Sequence, residues 1–143
     1  MGKINWIRVL IGGMVAGVVM NVLDLAAWAL FIRPSLSAAL EALGHPLTET
    51  VGTTVLWVVL SFLLGILFVW LYAAIRPRCG AGPGTAALAG IVAGVLLIIP
   101  NIAWGSILTL IPAKVWAIDA VETLVISIVA TLLGAWVYKE EGP

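Results

Sequence analysis

Residues 12–28 read GGMVAGVVMNVLDLAAW and lie inside an apolar run that continues from Trp6 to Ile32. The run decides the fold class. A bilayer needs about 20 consecutive apolar residues for a helical crossing, and a helix satisfies its own backbone groups, as lipid requires. Yet the run carries Asn21 and Asp24. A second stretch, AGIVAGVLLIIPNIAW at 89–104, opens on nearly the same phrase and carries Asn101.

Composition agrees with the run. The chain of 143 residues is 63% hydrophobic and 10% charged, with a mean hydropathy of +1.20. A soluble domain is about 45–50% apolar and about 25% charged, so an integral membrane protein is expected, with the lipid bilayer as its first partner. The formal net charge of zero gives no reason to expect a nucleic-acid partner. The lone Cys79 makes no internal disulfide, and the lone His45 has no second histidine with which to share a metal. No metal or cofactor is expected. The first run is too long for the core of a cleaved signal, which spans about 7–15 residues.

Four apolar runs, at roughly 6–32, 51–75, 85–111 and 115–138, are separated by charge, proline or glycine. They do not alternate as barrel strands do. The expectation is an all-α fold: one four-helix transmembrane domain over 1–143. Lys3, Arg8, Arg76, Arg78 and Lys139 fall on one side, and Arg33 and Lys114 on the other. That bias puts both termini in the cytoplasm. Trp6, Trp70 and Trp136 then sit near the inner boundary and Trp28, Trp57 and Trp116 near the outer one, at the depth indoles prefer, while Trp104 lies deeper. The first outer loop, RPSLSAALEALGHP at 33–46, spaces Leu36, Leu40 and Leu43 as a helix does, with Gly44 and Pro46 as a stop. A short amphipathic helix lying on the outer surface is expected there. The inner loop, RPRCGAGPGTA, is rich in glycine and proline and should turn tightly.

An offset of 77 aligns Gly13 with Gly90, Gly17 with Gly94, and Asp24 with Asn101. WLY at 70–72 resembles WVY at 136–138. Two parallel-repeated helical hairpins, about 1–76 and 84–141, fit this pattern. Gly13/Gly17 and Gly90/Gly94 are G-x-x-x-G pairs, which let two backbones approach closely. Packing of span one on span three is one use of them, and dimerisation is the other.

On span one, Gly13, Gly17, Asn21, Asp24 and Trp28 share a side; on span three, Gly90, Gly94, Asn101 and Leu108 do. Span four adds Asp119 and Glu122, and Glu49 and Thr53 stand at the mouth of span two. Asp24 and Glu122 lie on the order of 10 Å inside the outer boundary at ~1.5 Å per residue. Asn21, Asp24, Asn101, Asp119 and Glu122 therefore form a candidate intramembrane polar pocket in the outer third of the bundle. A charge facing lipid at that depth costs about 2.5–3.5 kcal/mol, so these groups should face protein. The expected pairings are Asp24 with Asn101, or Asp119 with Lys114. Pro100 deletes a backbone hydrogen bond beside Asn101, and a kink there would open space.

No Ser/His/Asp set, HExxH, P-loop or dinucleotide fingerprint is present, so an enzyme is not expected. Asp119 and Glu122, three residues apart near a helix start, also complement its dipole. The stretches KINWIRVLIGGMVAGVVMN (3–21) and LYAAIRPRCGAGPGTAALAG (71–90) resemble those of small four-span bacterial inner-membrane proteins of unknown function. The resemblance implies four helices and a bacterial inner membrane, and carries no activity or ligand with it. Two readings remain open. One is a non-catalytic structural or accessory subunit, assembled with other membrane proteins or with itself. The alternative is a small transporter or channel whose outer polar pocket takes a cation, a proton or a small polar solute.

Overall fold

The computed structural model describes residues 4–107, 109 and 111–139. Those residues are all helix, turn or loop, with no strand among them. Helix α1 runs Trp6–Ala27, α2 Arg33–Ala42, α3 Val51–Cys79, α4 Pro83–Ile107 and α5 Ala113–Val137. Four helical stretches, Trp6–Ala42, Val51–Cys79, Pro83–Ile107 and Ala113–Val137, are long and apolar enough to cross a membrane. The shorter of them, at 25 residues, rise ~37 Å against a hydrocarbon core of about 30 Å. By length and composition the chain is a multi-pass membrane protein. Lys3 and Leu108 lie outside the described residues.

Each helix starts and stops for local reasons. The Asn5 side chain caps α1 by accepting from the Arg8 N–H at 3.0 Å. Thr50 and Thr53 form a reciprocal capping box at the start of α3. Gly80 and Gly82 adopt φ of 85° and 140°, so α3 reverses into α4 through the tight inner turn that the glycine-rich stretch predicts. Cys79, expected in that loop, is the last residue of α3, free and exposed.

The first outer segment departs from expectation. Its helix exists and stops at Gly44 (φ 75°). It is not a separate surface helix, however, because α2 continues α1 through one π-helical turn, Trp28–Ile32. Pro34 supplies the reason. Its ring crowds the carbonyl one turn back and its nitrogen donates nothing. The π turn, in which the Arg33 N–H reaches the Trp28 carbonyl, widens the backbone just ahead of that ring. Pro100 likewise lies inside α4, which runs on to Ile107.

The lower half of the bundle, where α1 and α4 begin and α3 and α5 end, holds the core. Val9, Ala16, Phe68, Val69, Ala86, Ala89 and Ala130 are at most 1% exposed. Helix α1 packs on α3, α4 on α5, and α1 on α5 joins the two pairs. The glycines explain these contacts and overturn one expectation. Gly13 and Gly17 do not receive span three. They receive Ile66 and Phe62 of α3, and Gly90 and Gly94 receive Ile128, Ser127 and Leu124 of α5. A Cβ at Gly13 would stand 2.5 Å from the Ile66 Cα, and one at Gly90 2.7 Å from the Ile128 Cα. Each G-x-x-x-G face therefore closes its own hairpin, α1 on α3 and α4 on α5. Another pair, missed in the sequence, joins the hairpins: a Cβ on Gly12 would lie 2.6 Å from the Gly134 carbonyl oxygen.

A clasp ends the lower half. Tyr72 and Tyr138 meet edge to face at 5.9 Å, and Arg76 stands 5.6 Å above the Tyr138 ring. The Asn5 N–H donates to the Tyr138 hydroxyl at 3.3 Å. The tyrosines of WLY and WVY thus face each other.

Candidate functional site

The polar residues of the pocket occupy the upper half, where packing is loose. Residues 51–60 of α3 are all exposed, so no side of its first turns is covered. No residue of α4 from 95 to 107 is described as buried.

Asn21 is half-buried on α1. Its amide donates to the Gly17 carbonyl at 2.8 Å and to the Val58 carbonyl of α3 at 3.5 Å. It bridges the first hairpin one turn above the glycine contact. Asp24 accepts from the Ser61 hydroxyl at 3.5 Å. Ser61 has a single proton and points it at the Trp57 carbonyl at 3.0 Å as well. The shorter contact takes the larger share, so Asp24 is weakly held. Ser61 is buried and is the partner that sequence reasoning passed over, because a lone serine in an apolar run carries little signal.

Asn101 does not reach Asp24. Its amide donates to the Asp119 carboxylate at 3.0 Å, across the α4–α5 contact. Lys114 is not the partner of Asp119 either, since five residues set them about 140° apart around the helix. Both expected pairings are therefore replaced by pairings inside a hairpin. The physical reason is the topology already described, in which α1 and α4 share no principal contact.

Across the hairpins the carboxyl groups come within electrostatic reach of one another. Asp24 lies within electrostatic reach of Asp119, and Glu122 within reach of both. Glu122 Oε2 is buried and has no hydrogen-bond partner among the described residues, and the same holds for Trp116 Nε1. Among the described residues no group of three His, Cys, Asp or Glu side chains is placed to hold a metal ion.

A latch closes the rim of the first hairpin. Glu49 pairs with Arg33 at 3.4 Å and accepts from the Trp28 indole at 3.2 Å. Trp28 therefore spends its N–H on the latch. Thr53 turns back into the α3 cap instead of towards the carboxylates.

The described residues form an all-helical bundle with four helices long and apolar enough to cross a membrane, a tightly packed lower half and an upper half that carries the carboxylates. No family model, no curated protein and no solved structure matches it.

Proposed function

We propose that the chain is a non-catalytic structural or accessory subunit of a bacterial inner-membrane complex, or a homo-oligomer. Its two hairpins descend from one duplicated unit, and both termini face the cytoplasm. The observation that carries this reading is the closed lower half. Phe68, Val69, Ala130 and Thr131 are at most 1% exposed and fill the space between the helices, so the described residues pack the lower half closed. The orientation rests on the basic residues at the lower end. The duplication is supported by the repeated use of the glycine pairs: Gly13 and Gly17 seat α3, as Gly90 and Gly94 seat α5.

Purification from the native membrane in mild detergent, followed by light scattering and mass spectrometry, tests it. A stoichiometric partner or a defined oligomer is the expected result. A lone monomer that regains no partner after cross-linking in the membrane would sink it.

A second reading has its own observation. Asp24, Asp119 and Glu122 interact across the hairpin boundary, and Glu122 keeps a buried oxygen without a partner. Intramembrane acids mark ion and proton sites by default. On this reading the upper half binds a proton, a cation or a small polar solute. It then requires a liposome flux that Asp24→Asn and Glu122→Gln abolish while the protein stays folded.

A further inference from the structure

At the lower end a groove of about 410 Å³ opens between the end of α3, the start of α4 and the end of α5. Tyr72, Ala86, Leu132, Leu133 and Trp136 line it, with Gly82 and Pro83 at its mouth. Trp136 is 83% exposed, so one wall is an indole standing in the surrounding phase. For a membrane-spanning chain that phase is lipid, and indoles prefer the level of the headgroups.

Charge follows the same pattern on two helices. Tyr72 on α3 is followed one turn later by Arg76, and Trp136 on α5 is followed three residues later by Lys139. Arg78 lies in the last turn of α3, four residues before the lining residue Gly82. One cation thus follows the aromatic within α3, and the other follows just past the end of α5. The N-terminus of the 25-residue α4 opens at the same mouth, and its dipole adds a partial positive charge. Among the described residues of the lower end the charged side chains are Arg8, Arg76, Arg78 and Lys139. Basic pockets between membrane helices on the cytoplasmic side hold anionic headgroups.

We propose that this groove holds one acyl chain of an anionic phospholipid, with its phosphate at Arg78, Lys139 and the start of α4. The inference rests on the membrane reading of the chain. The apolar wall seats the chain, the cations select the headgroup, and Trp136 marks the depth at which the two meet.

The test uses the full chain in neutral detergent, with phosphatidylglycerol or phosphatidylcholine added to the micelles and retained lipid counted by native mass spectrometry. Phosphatidylglycerol is expected to be retained preferentially. Arg78→Gln and Lys139→Gln, both at exposed positions, should each lower that preference about fivefold. Leu133→Trp fills the groove from its open side and should remove the bound phosphatidylglycerol. Equal retention of the two lipids, or a preference that survives both charge variants, overturns the proposal. Alkaline carbonate extraction separates the two levels of failure. A chain released into the supernatant overturns the membrane reading and the lipid site with it. A chain retained in the pellet that shows equal retention overturns the lipid site alone.

Discussion

The lower and upper halves of this bundle are built from the same apolar alphabet and end in opposite states. Below, small residues let helices touch backbone to backbone, and Phe68, Val69, Ala130 and Thr131 are shut away. Above, residues 51–60 of α3 stand uncovered, and the side chains between the helices are Asn21, Asp24, Asn101, Asp119 and Glu122. In lipid there is no hydrophobic force between helices, so close dispersion contact and hydrogen bonds decide association. Glycines supply the first below and once above, where Gly105 receives Trp116, while the amides and carboxylates supply the second above. The lesson is that one bundle weights its two sources of cohesion differently with depth.

The division breaks most severely at a glycine. Gly13→Leu drives a side chain into the Ile66 backbone, where no rotamer relieves the clash. Overpacking of this kind costs typically 1–3 kcal/mol and occasionally more. The expected outcome is loss of the monodisperse peak in detergent size-exclusion chromatography. Val55→Ala, in the uncovered stretch, should leave the peak unchanged. Equal tolerance at both positions would abolish the contrast between halves.

Hydrogen bonding in the upper half should register next. Asn101→Leu removes the donor to Asp119. Interhelical polar contacts in membranes average about 0.6 kcal/mol and reach about 1.7, so a loss in that range is expected in reversible detergent denaturation. Asp119→Asn keeps a bonding partner for Asn101 and should lose less. Equal losses for the two would argue against the Asn101–Asp119 bond.

Glu122→Gln has a smaller effect, of opposite sign. It replaces a carboxyl within electrostatic reach of Asp24 and Asp119, whose buried oxygen has no partner among the described residues, by a neutral amide. A rise in thermal midpoint is expected, and a clear fall would place a stabilising contact at Glu122. The smallest effect belongs to the rim. Arg33→Gln breaks an exposed ion pair with Glu49, and such pairs are worth about 0–1 kcal/mol. Stability should scarcely change, and a large loss would promote the latch to a structural joint.

Much of this was readable along the chain, because composition and run length act locally. The four helices, the turn at Gly80–Gly82, the stop at Gly44 and the glycine faces all follow from side-chain chemistry within a few residues. The amides and carboxylates of the apolar runs were also legible, since such a side chain in an apolar run is conspicuous. Their partners were not. Ser61 is unremarkable in sequence, and Gly12 and Gly134 sit 122 positions apart with no pattern linking them. The fusion of α2 to α1 was hidden too, because a proline reads as a break and the π turn that accommodates it has no signature of its own.

The amino-acid order alone determined that the chain is helical, apolar enough to cross a membrane, and polar at one depth. Hydropathy and backbone self-satisfaction need no neighbours to act. Tertiary structure alone decided who touches whom: that each glycine face closes its own hairpin, and that Asp24 takes Ser61 while Asn101 takes Asp119. Those choices depend on which helices are adjacent, and adjacency is a property of the closed bundle that no single helix carries.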